Sequence, residues 1–356
     1  MNEKDSKAIE FLRFPLICAV VCIHTNLIEY CDWLTDFPVF SNSSYIFISI
    51  LCSIAVPLFF FISGYLFFKT QDFNEKIYID KIKRRIISLF VPYILWNIIY
   101  FMIVCLFQIV KPDFQLLLHK SIYEMSLTDF LYIFWDISKI SHLPTDQNAP
   151  LVTQFWFLQC LMIIILLSPI IYVGIKRLKV LFILLMAIIC VTDILPEYTG
   201  VKWGAFFYFI LGSYFSVNKI SIIAFSRIIA KYNYIISIVL FICLFYSETF
   251  WFLFNISLIF IIFHITSMIT DRKKMISATV VSSSFFIFAV HRFFTAIFTS
   301  IARYKIIPLN SEIAAFLYYI IGTTICIACC FALYVILKKY LPKTTSLLIG
   351  GRLTKQ

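Results

Sequence analysis

The stretch IEFLRFPLICAVVCIHTNLIEY, Ile9 to Tyr30, is an apolar run carrying two residues that hydrocarbon does not welcome, Arg13 and His24. A bilayer is crossed by a helix of roughly twenty mostly apolar residues, so a run of this length predicts a first membrane span. The eleven positions from Arg13 to His24 make close to three turns and ~16 Å of rise, which puts both side chains on one helix face. A charged guanidinium inside a span costs about 2.5–3.5 kcal/mol on insertion scales, and it normally faces protein or water. Taken singly, Arg13 could snorkel to the headgroups and His24 could bond a neighbouring helix. Sharing a face, the two read as parts of one site.

Outward from that run, the chain of 356 residues is 62% hydrophobic and only 14% charged, against roughly 25% charged in soluble proteins. Apolar runs recur along its whole length, so the fold class is an all-α polytopic membrane protein with no room for a large soluble domain. Ten spans fit, at about 9–30, 45–68, 86–110, 151–173, 180–195, 202–217, 232–247, 250–270, 279–299 and 312–337. The first run lacks a small-residue cleavage site and is followed by Glu29 and Asp32, so it reads as a retained helix. One membrane domain covering 1–356 is expected.

The net charge of +11 does not point to nucleic acid, because the basic residues fall in short segments between apolar runs. One alternating set of segments holds Lys4, Lys7, Lys69, Lys76, Lys81, Lys83, Arg84, Arg85, Lys176, Arg177, Lys179, Arg227, Arg272, Lys338 and Lys339. The opposite set holds few, diluted by Asp113, Glu124, Asp129, Asp136 and Asp146. Both termini are therefore expected in the cytoplasm, with membrane lipids as constant partners. Two polar segments stand out: a basic cytoplasmic loop at 69–85, and an outer loop at 111–150 whose aromatic run FLYIFW at 130–135 is too short to span. That run either lies along the interface or folds back over a cavity.

The eleven cysteines fall almost wholly inside apolar runs and read as small packing side chains rather than as disulfide, redox or metal ligands. No metal is expected. His264, in an apolar helix with no second signal, reads as a packing residue, and His119 and His142 as solvated. The serines at 282–284 have no nucleophile-elbow context.

Three pieces follow one another: Arg13 with ten residues to His24, PLFFFISGYLFF at 57–68, and KRRIISLFVPYILW at 83–96. Together they resemble the acyltransferase family 3 membrane proteins, bacterial transferases that modify surface polysaccharides and related glycans. The likeness extends to QFWFLQCLMIIILLSPII at 154–171 and to SSFFIFAVHRFF at 283–294. The resemblance implies transfer of an acyl group, often acetyl from cytoplasmic acetyl-CoA, onto a sugar hydroxyl at the bacterial cytoplasmic membrane. Coenzyme A is then a donor substrate and no cofactor is held permanently.

The residues suit that chemistry. An elongated donor with phosphates at one end and a thioester at the other needs cations and, many ångströms away, a base. Arg13, with Lys83, Arg84 and Arg85, can hold phosphate oxygens. His24 can serve as general base on the acceptor hydroxyl or form an acyl-histidine. His291 can orient the acceptor or the base, Trp156 can stack on a sugar ring or anchor the span at the interface, and Glu29 can bind sugar hydroxyls or orient the imidazole. The competing function is a transporter or exporter of a glycan or lipid-linked sugar, with Arg13 and His24 lining its path. Such proteins more often show glycine- or proline-broken helices in matching halves, and only Pro15 and Pro57 suggest breaks here. A bare scaffold would not need the intramembrane pair. The acceptor's identity, the choice of acyl group and the oligomeric state are not written in these residues.

Overall fold

The structure is a computed structural model describing residues 3–69, 73–110, 118, 120–141, 148–247, 249–272 and 276–352. Its helices in chain order are α1 (Glu3–His24), α2 (Pro38–Phe67), α3 (Glu75–Val110), α4 (Leu127–Tyr132), α5 (Thr153–Leu166), α6 (Ser168–Leu178), α7 (Val180–Thr192) and α8 (Trp203–Val217). They continue with α9 (Ile222–Leu244), α10 (Phe250–Asp271), α11 (Ala278–Arg303), α12 (Glu312–Tyr340) and α13 (Pro342–Leu348). Among the described residues the only β pairings are two isolated bridges.

Six helices, α2, α3, α9, α10, α11 and α12, are long and apolar enough to cross a membrane, and the bent pair α5–α6 makes a seventh if it is one span. The chain is thus an all-α membrane protein. The expected continuous span at 151–173 is corrected: α5 and α6 meet at 62°. Pro169 lacks the N–H that would continue the ladder to Ile165, so the helix restarts there with proline in its first turn. The runs at 180–195 and 202–217 form helices of 13 and 15 residues, or ~20–22 Å, short of a hydrocarbon core of about 30 Å. The basic segment expected as a loop at 69–85 is also corrected. From Glu75 it is helix, opened by the Asn74 side chain accepting from the Ile77 N–H, and it runs on into the apolar part of α3. Pro15 and Pro57 break nothing; α1 and α2 continue through both.

The chain divides into two compact units, Met1–Gln71 with Tyr208–Tyr340 and Thr354–Gln356, and Asp72–Phe207 with Leu341–Leu353. In the first unit α1 is the central helix, packed on α2, α10 and α11 and reaching α9 and α12. Its run begins earlier and ends earlier than expected, at Glu3 and His24. One long face, Asp5, Ala8, Ile9, Leu12, Leu16, Ile17, Val20 and Val21, is buried. The helices α2 and α8 approach until backbones touch: a Cβ on Gly64 would lie 2.0 Å from the Phe209 carbonyl, and one on Gly212 would lie 1.9 Å from that of Phe61. Two glycines opposite each other make that contact possible.

Both ends of this unit are tied. Asp271 at the end of α10 pairs with Lys4 and Arg227. At the other end the Glu312 carboxylate accepts from the backbone N–H groups of Val39 and Phe40 at 3.1 and 2.6 Å, the favoured place for an anion at a helix start. Lys4 and Arg227 both belong to the set counted as cytoplasmic, and the structure puts them at one end.

In the second unit the aromatic run at 130–135 is held by backbone and side-chain hydrogen bonds. The Leu151 N–H donates to the Ile133 carbonyl and the Ile137 N–H to Ala149, both at 2.9 Å. Tyr93 donates to the Phe134 carbonyl and the Gln159 amide to Trp135 at 2.7 Å, with Ile133 and Ile137 fully buried. The described part of this segment is thereby fixed on α3 and α5.

Candidate functional site

The site grows from the C-terminal end of α1. Its last turn is pinned to α12, where the Thr25 and Thr323 hydroxyls lie 2.9 Å apart and Tyr319 donates to the Cys22 carbonyl at 3.2 Å. His24 closes the helix, half-buried, with its backbone held by those neighbours.

Opposite, α11 presents His291 and Arg292. The imidazoles of His24 and His291 face one another with centroids 5.1 Å apart and planes at 33°. Arg292 Nη1 donates to His24 Nδ1 at 3.1 Å and lies 3.4 Å from the Tyr30 hydroxyl. Glu29 lies within electrostatic reach of the same guanidinium. His291 has no exposed surface, and its Nδ1 bonds to the carbonyls of Ile287 and Phe288 at 3.1 and 2.9 Å. Its Nε2 is buried without a hydrogen-bond partner among the described residues. In an apolar interior such an unmet acceptor costs about 1–3 kcal/mol; a fold tolerates that cost where the group has something to do.

Of the expected residues, the structure therefore brings His24 and His291 together, with Glu29 within electrostatic reach of Arg292. Arg13 stands on the same unbroken α1, eleven residues before His24. It is exposed and has no hydrogen-bonded partner among the described residues, only Glu10 as a charged neighbour one turn away. The strip between Arg13 and His24 is covered, since Ile17 and Val20 on that face are buried. Lys83, Arg84 and Arg85, in the first turns of α3, and Trp156, early in α5, belong to the second unit. Lys83 and Arg84 are exposed there, while Arg85 is half-buried. Trp156 packs edge-on to Phe157 at 6.5 Å.

Sequence reasoning passed over Arg292 and Tyr30. The signal was present: a guanidinium next to a histidine inside an apolar helix needs a partner as much as Arg13 does. His264 is a satisfied packing residue, its Nδ1 3.1 Å from the Tyr234 hydroxyl. His119 and His142 lie outside the described residues. All eleven cysteines are free thiols, and no group of three or more metal-ligating side chains occurs among the described residues.

A family model described as an acyltransferase domain, Acyl_transf_3, matches residues 6–335. The chain belongs to acyltransferase family 3. That stretch takes in α1 through α11 and most of α12, including His24, His291 and Arg292. No curated protein and no solved structure matches the chain. Family membership makes it a multi-pass membrane acyltransferase; the choice of donor and acceptor has to be argued from the residues.

Proposed function

We propose that this protein is an O-acyltransferase of the bacterial cytoplasmic membrane that moves an acyl group, acetyl from acetyl-CoA, onto a hydroxyl of a surface polysaccharide or lipid-linked sugar. The observation that carries the proposal is a half-buried histidine at the C-terminal end of a family helix, facing a second histidine and an arginine on α11. That arrangement suits proton transfer in a place where water is scarce.

In this reading the donor's phosphates are met from the cytoplasmic side by Arg13, and Lys83, Arg84 and Arg85 of the second unit are a separate candidate for phosphate contacts. Each assignment is tested by its own variant. His24 is the catalytic base. The acceptor hydroxyl gives its proton to the imidazole as its oxygen attacks the thioester carbonyl carbon. The C–S bond then breaks, and the departing CoA sulfur takes the proton back. The sugar leaves as an ester and the donor as free thiol. Glu29, within electrostatic reach of Arg292, is assigned to the acceptor's hydroxyls, and Trp156, in the second unit, is a separate candidate for stacking on a sugar ring.

The decisive experiment incubates purified protein with acetyl-CoA and glycan extracted from a strain lacking it, reading free CoA and a gain of one acetyl mass by mass spectrometry. Both should appear together with the wild-type chain and vanish with His24→Ala. The transporter reading keeps one observation in its favour, the 62° break between α5 and α6. Glycan movement across vesicles without any CoA release would select it and end the acyltransferase proposal.

A further inference from the structure

The histidine that serves as base is capped in the resting structure. Arginine has donors only, so Arg292 Nη1, 3.1 Å from His24 Nδ1, fills the lone pair there. A neutral His24 then has its hydrogen on Nε2, and neither ring nitrogen can take a proton until the guanidinium moves. Little holds it in place. Both acceptors of Nη1, the imidazole and the Tyr30 hydroxyl at 3.4 Å, are uncharged. Among the described residues Nε and Nη2 of Arg292 make no hydrogen bond, and no carboxylate forms an ion pair with it; Glu29 acts on it only through space. The arginine on α9 differs, since Arg227 pairs with Asp271. A guanidinium set among apolar helices without an anion is costly. Arg292, His24 and Tyr30 are each half-buried, so a ligand can reach all three, whereas His291 has no exposed surface.

We infer that Arg292 is a catalytic residue of the transfer, the donor to the thioester carbonyl oxygen: it leaves His24 Nδ1 for that oxygen as negative charge gathers there, and in leaving it uncovers the base. The inference rests on the acyl-transfer reading above and supplies the anion that Arg292 lacks. The attacking hydroxyl must bond to Nδ1, and the carbonyl carbon it attacks is one bond further on. The carbonyl oxygen therefore comes within reach of a guanidinium that already stands 3.1 Å from Nδ1. An oxygen turning into an alkoxide out-competes a neutral imidazole for a guanidinium N–H. The hydroxyl proton passes to Nδ1 as its oxygen bonds to the carbonyl carbon, and the π pair moves onto the carbonyl oxygen, where Arg292 meets it. The pair then returns to re-form C=O, the C–S bond breaks with its electrons on sulfur, and Nδ1 gives its proton to that sulfur. Arg292 goes back to Nδ1. Tyr30, the second acceptor of Nη1, tethers the guanidinium through the exchange.

The test compares full-length wild type with Arg292→Gln, Arg292→Lys and Arg292→Ala, with melting temperature and gel-filtration profile read beside the kinetics. Glutamine keeps N–H donors for His24 and Tyr30, so it preserves the fold where alanine does not. With acetyl-CoA and the glycan extract, kcat for CoA release should fall about 100-fold or more in Arg292→Gln while both KM values move less than about threefold. Arg292→Lys should lie between, since it keeps the charge without the fork. Millimolar guanidinium should restore part of the rate to Arg292→Ala and none to His24→Ala. Two ketone analogues give a readout apart from turnover: trifluoroacetonyl-CoA, which hydrates to a tetrahedral carbon, and acetonyl-CoA, which stays planar. Wild type should bind the first about 100-fold more tightly than the second, and Arg292→Gln should lose most of that preference with its affinity for acetonyl-CoA little changed. A merely structural arginine would not give that pattern. The inference is overturned if Arg292→Gln turns over like wild type, if the loss falls on KM, which would make Arg292 a site for an anion of the bound substrates, or if both ketones lose affinity alike. Turnover lost in His24→Ala but kept in Arg292→Gln removes the role of Arg292 alone. Wild type that releases no CoA and binds neither ketone removes the acyl-transfer reading itself.

Discussion

The two ends of α1 both bury polar groups, and they do it in opposite ways. At the N-terminal end the Asp5 carboxylate is fully enclosed and fully answered, accepting from the Tyr65 hydroxyl at 2.7 Å, the Ser221 hydroxyl at 2.9 Å and the Ile223 N–H at 3.0 Å. At the C-terminal end His24 is half-buried, and its neighbour His291 leaves a buried nitrogen without a partner among the described residues. A buried group whose bonds are complete holds a fold together; one with valence to spare is available for chemistry. The difference assigns architecture to the N-terminal end and function to the C-terminal one.

The largest effect that could break this division is at His24. His24→Ala should lower acyl transfer by at least about a thousandfold while leaving membrane insertion and thermal stability close to wild type. The check is CoA release beside a melting curve in detergent. A variant that melts early would make His24 an architectural residue like Asp5, and one that still turns over would leave the C-terminal end without its base.

The mirror experiment is Asp5→Ala. It leaves a hydroxyl from Tyr65, another from Ser221 and the N–H of Ile223 buried without an acceptor, and should cost about 2–4 kcal/mol of stability. Thermal unfolding should shift down, while the protein that remains folded turns over at an unchanged rate per folded molecule. Tyr65→Phe removes one of the three bonds and should cost about 1 kcal/mol, because the other two remain. An activity loss in either variant without a melting shift would contradict the division.

Arg13 lies between the ends, exposed and without a hydrogen-bonded partner among the described residues. If it meets donor phosphates, Arg13→Ala should raise KM for acetyl-CoA about tenfold with kcat little changed, and Arg13→Lys should recover only part of that, since lysine lacks the planar fork. Arg84→Ala and Arg85→Ala should behave likewise. A fall in kcat alone would move Arg13 from donor binding to the transfer step.

Much of this was legible in the sequence, unevenly. Length and hydropathy give an all-α membrane chain and the Arg13–His24 spacing, because period and apolar composition are local properties, while the expected ten spans stand against six helices, or seven with the bent pair, that are long and apolar enough to cross. The bend at Leu167 was written in the Ser168–Pro169 pair, yet an apolar run long enough to span hid it. The ends of α1 were misplaced because charged residues at Glu3, Lys4 and Asp5 look like a tail until Asp5 is seen capping α9. PLFFFISGYLFF looked like a family marker without a task. In the structure Gly64 of that run admits the backbone of α8, and Tyr65 reaches Asp5. The pairing of His24 with Arg292 joins residues 268 positions apart, and no local pattern encodes such a contact.

A last, small effect checks whether complete bonding marks structure outside the apolar helices as well. Asp129 opens α4 in a capping box, taking the Ser126 N–H at 2.9 Å and the Ser126 hydroxyl at 2.8 Å, with Lys120 Nζ at 2.9 and 3.1 Å. The Ser126 N–H first, and then Lys120, hold its carboxyl down to about 2, against about 3.9 for a free aspartate. A depressed folded value means that the stabilisation is whole above about pH 4 and is lost as the pH falls toward 2. Hydrogen exchange at Asp129 and Phe130, whose N–H groups bond back to Ser126, should keep its protection at pH 5 and lose it stepwise below 4. In Asp129→Asn the protection should be weaker throughout and show no such step. A step displaced above pH 4 would mean a carboxyl whose charged form is disfavoured. Asp129 would then belong with His291, among the buried groups whose bonding is incomplete.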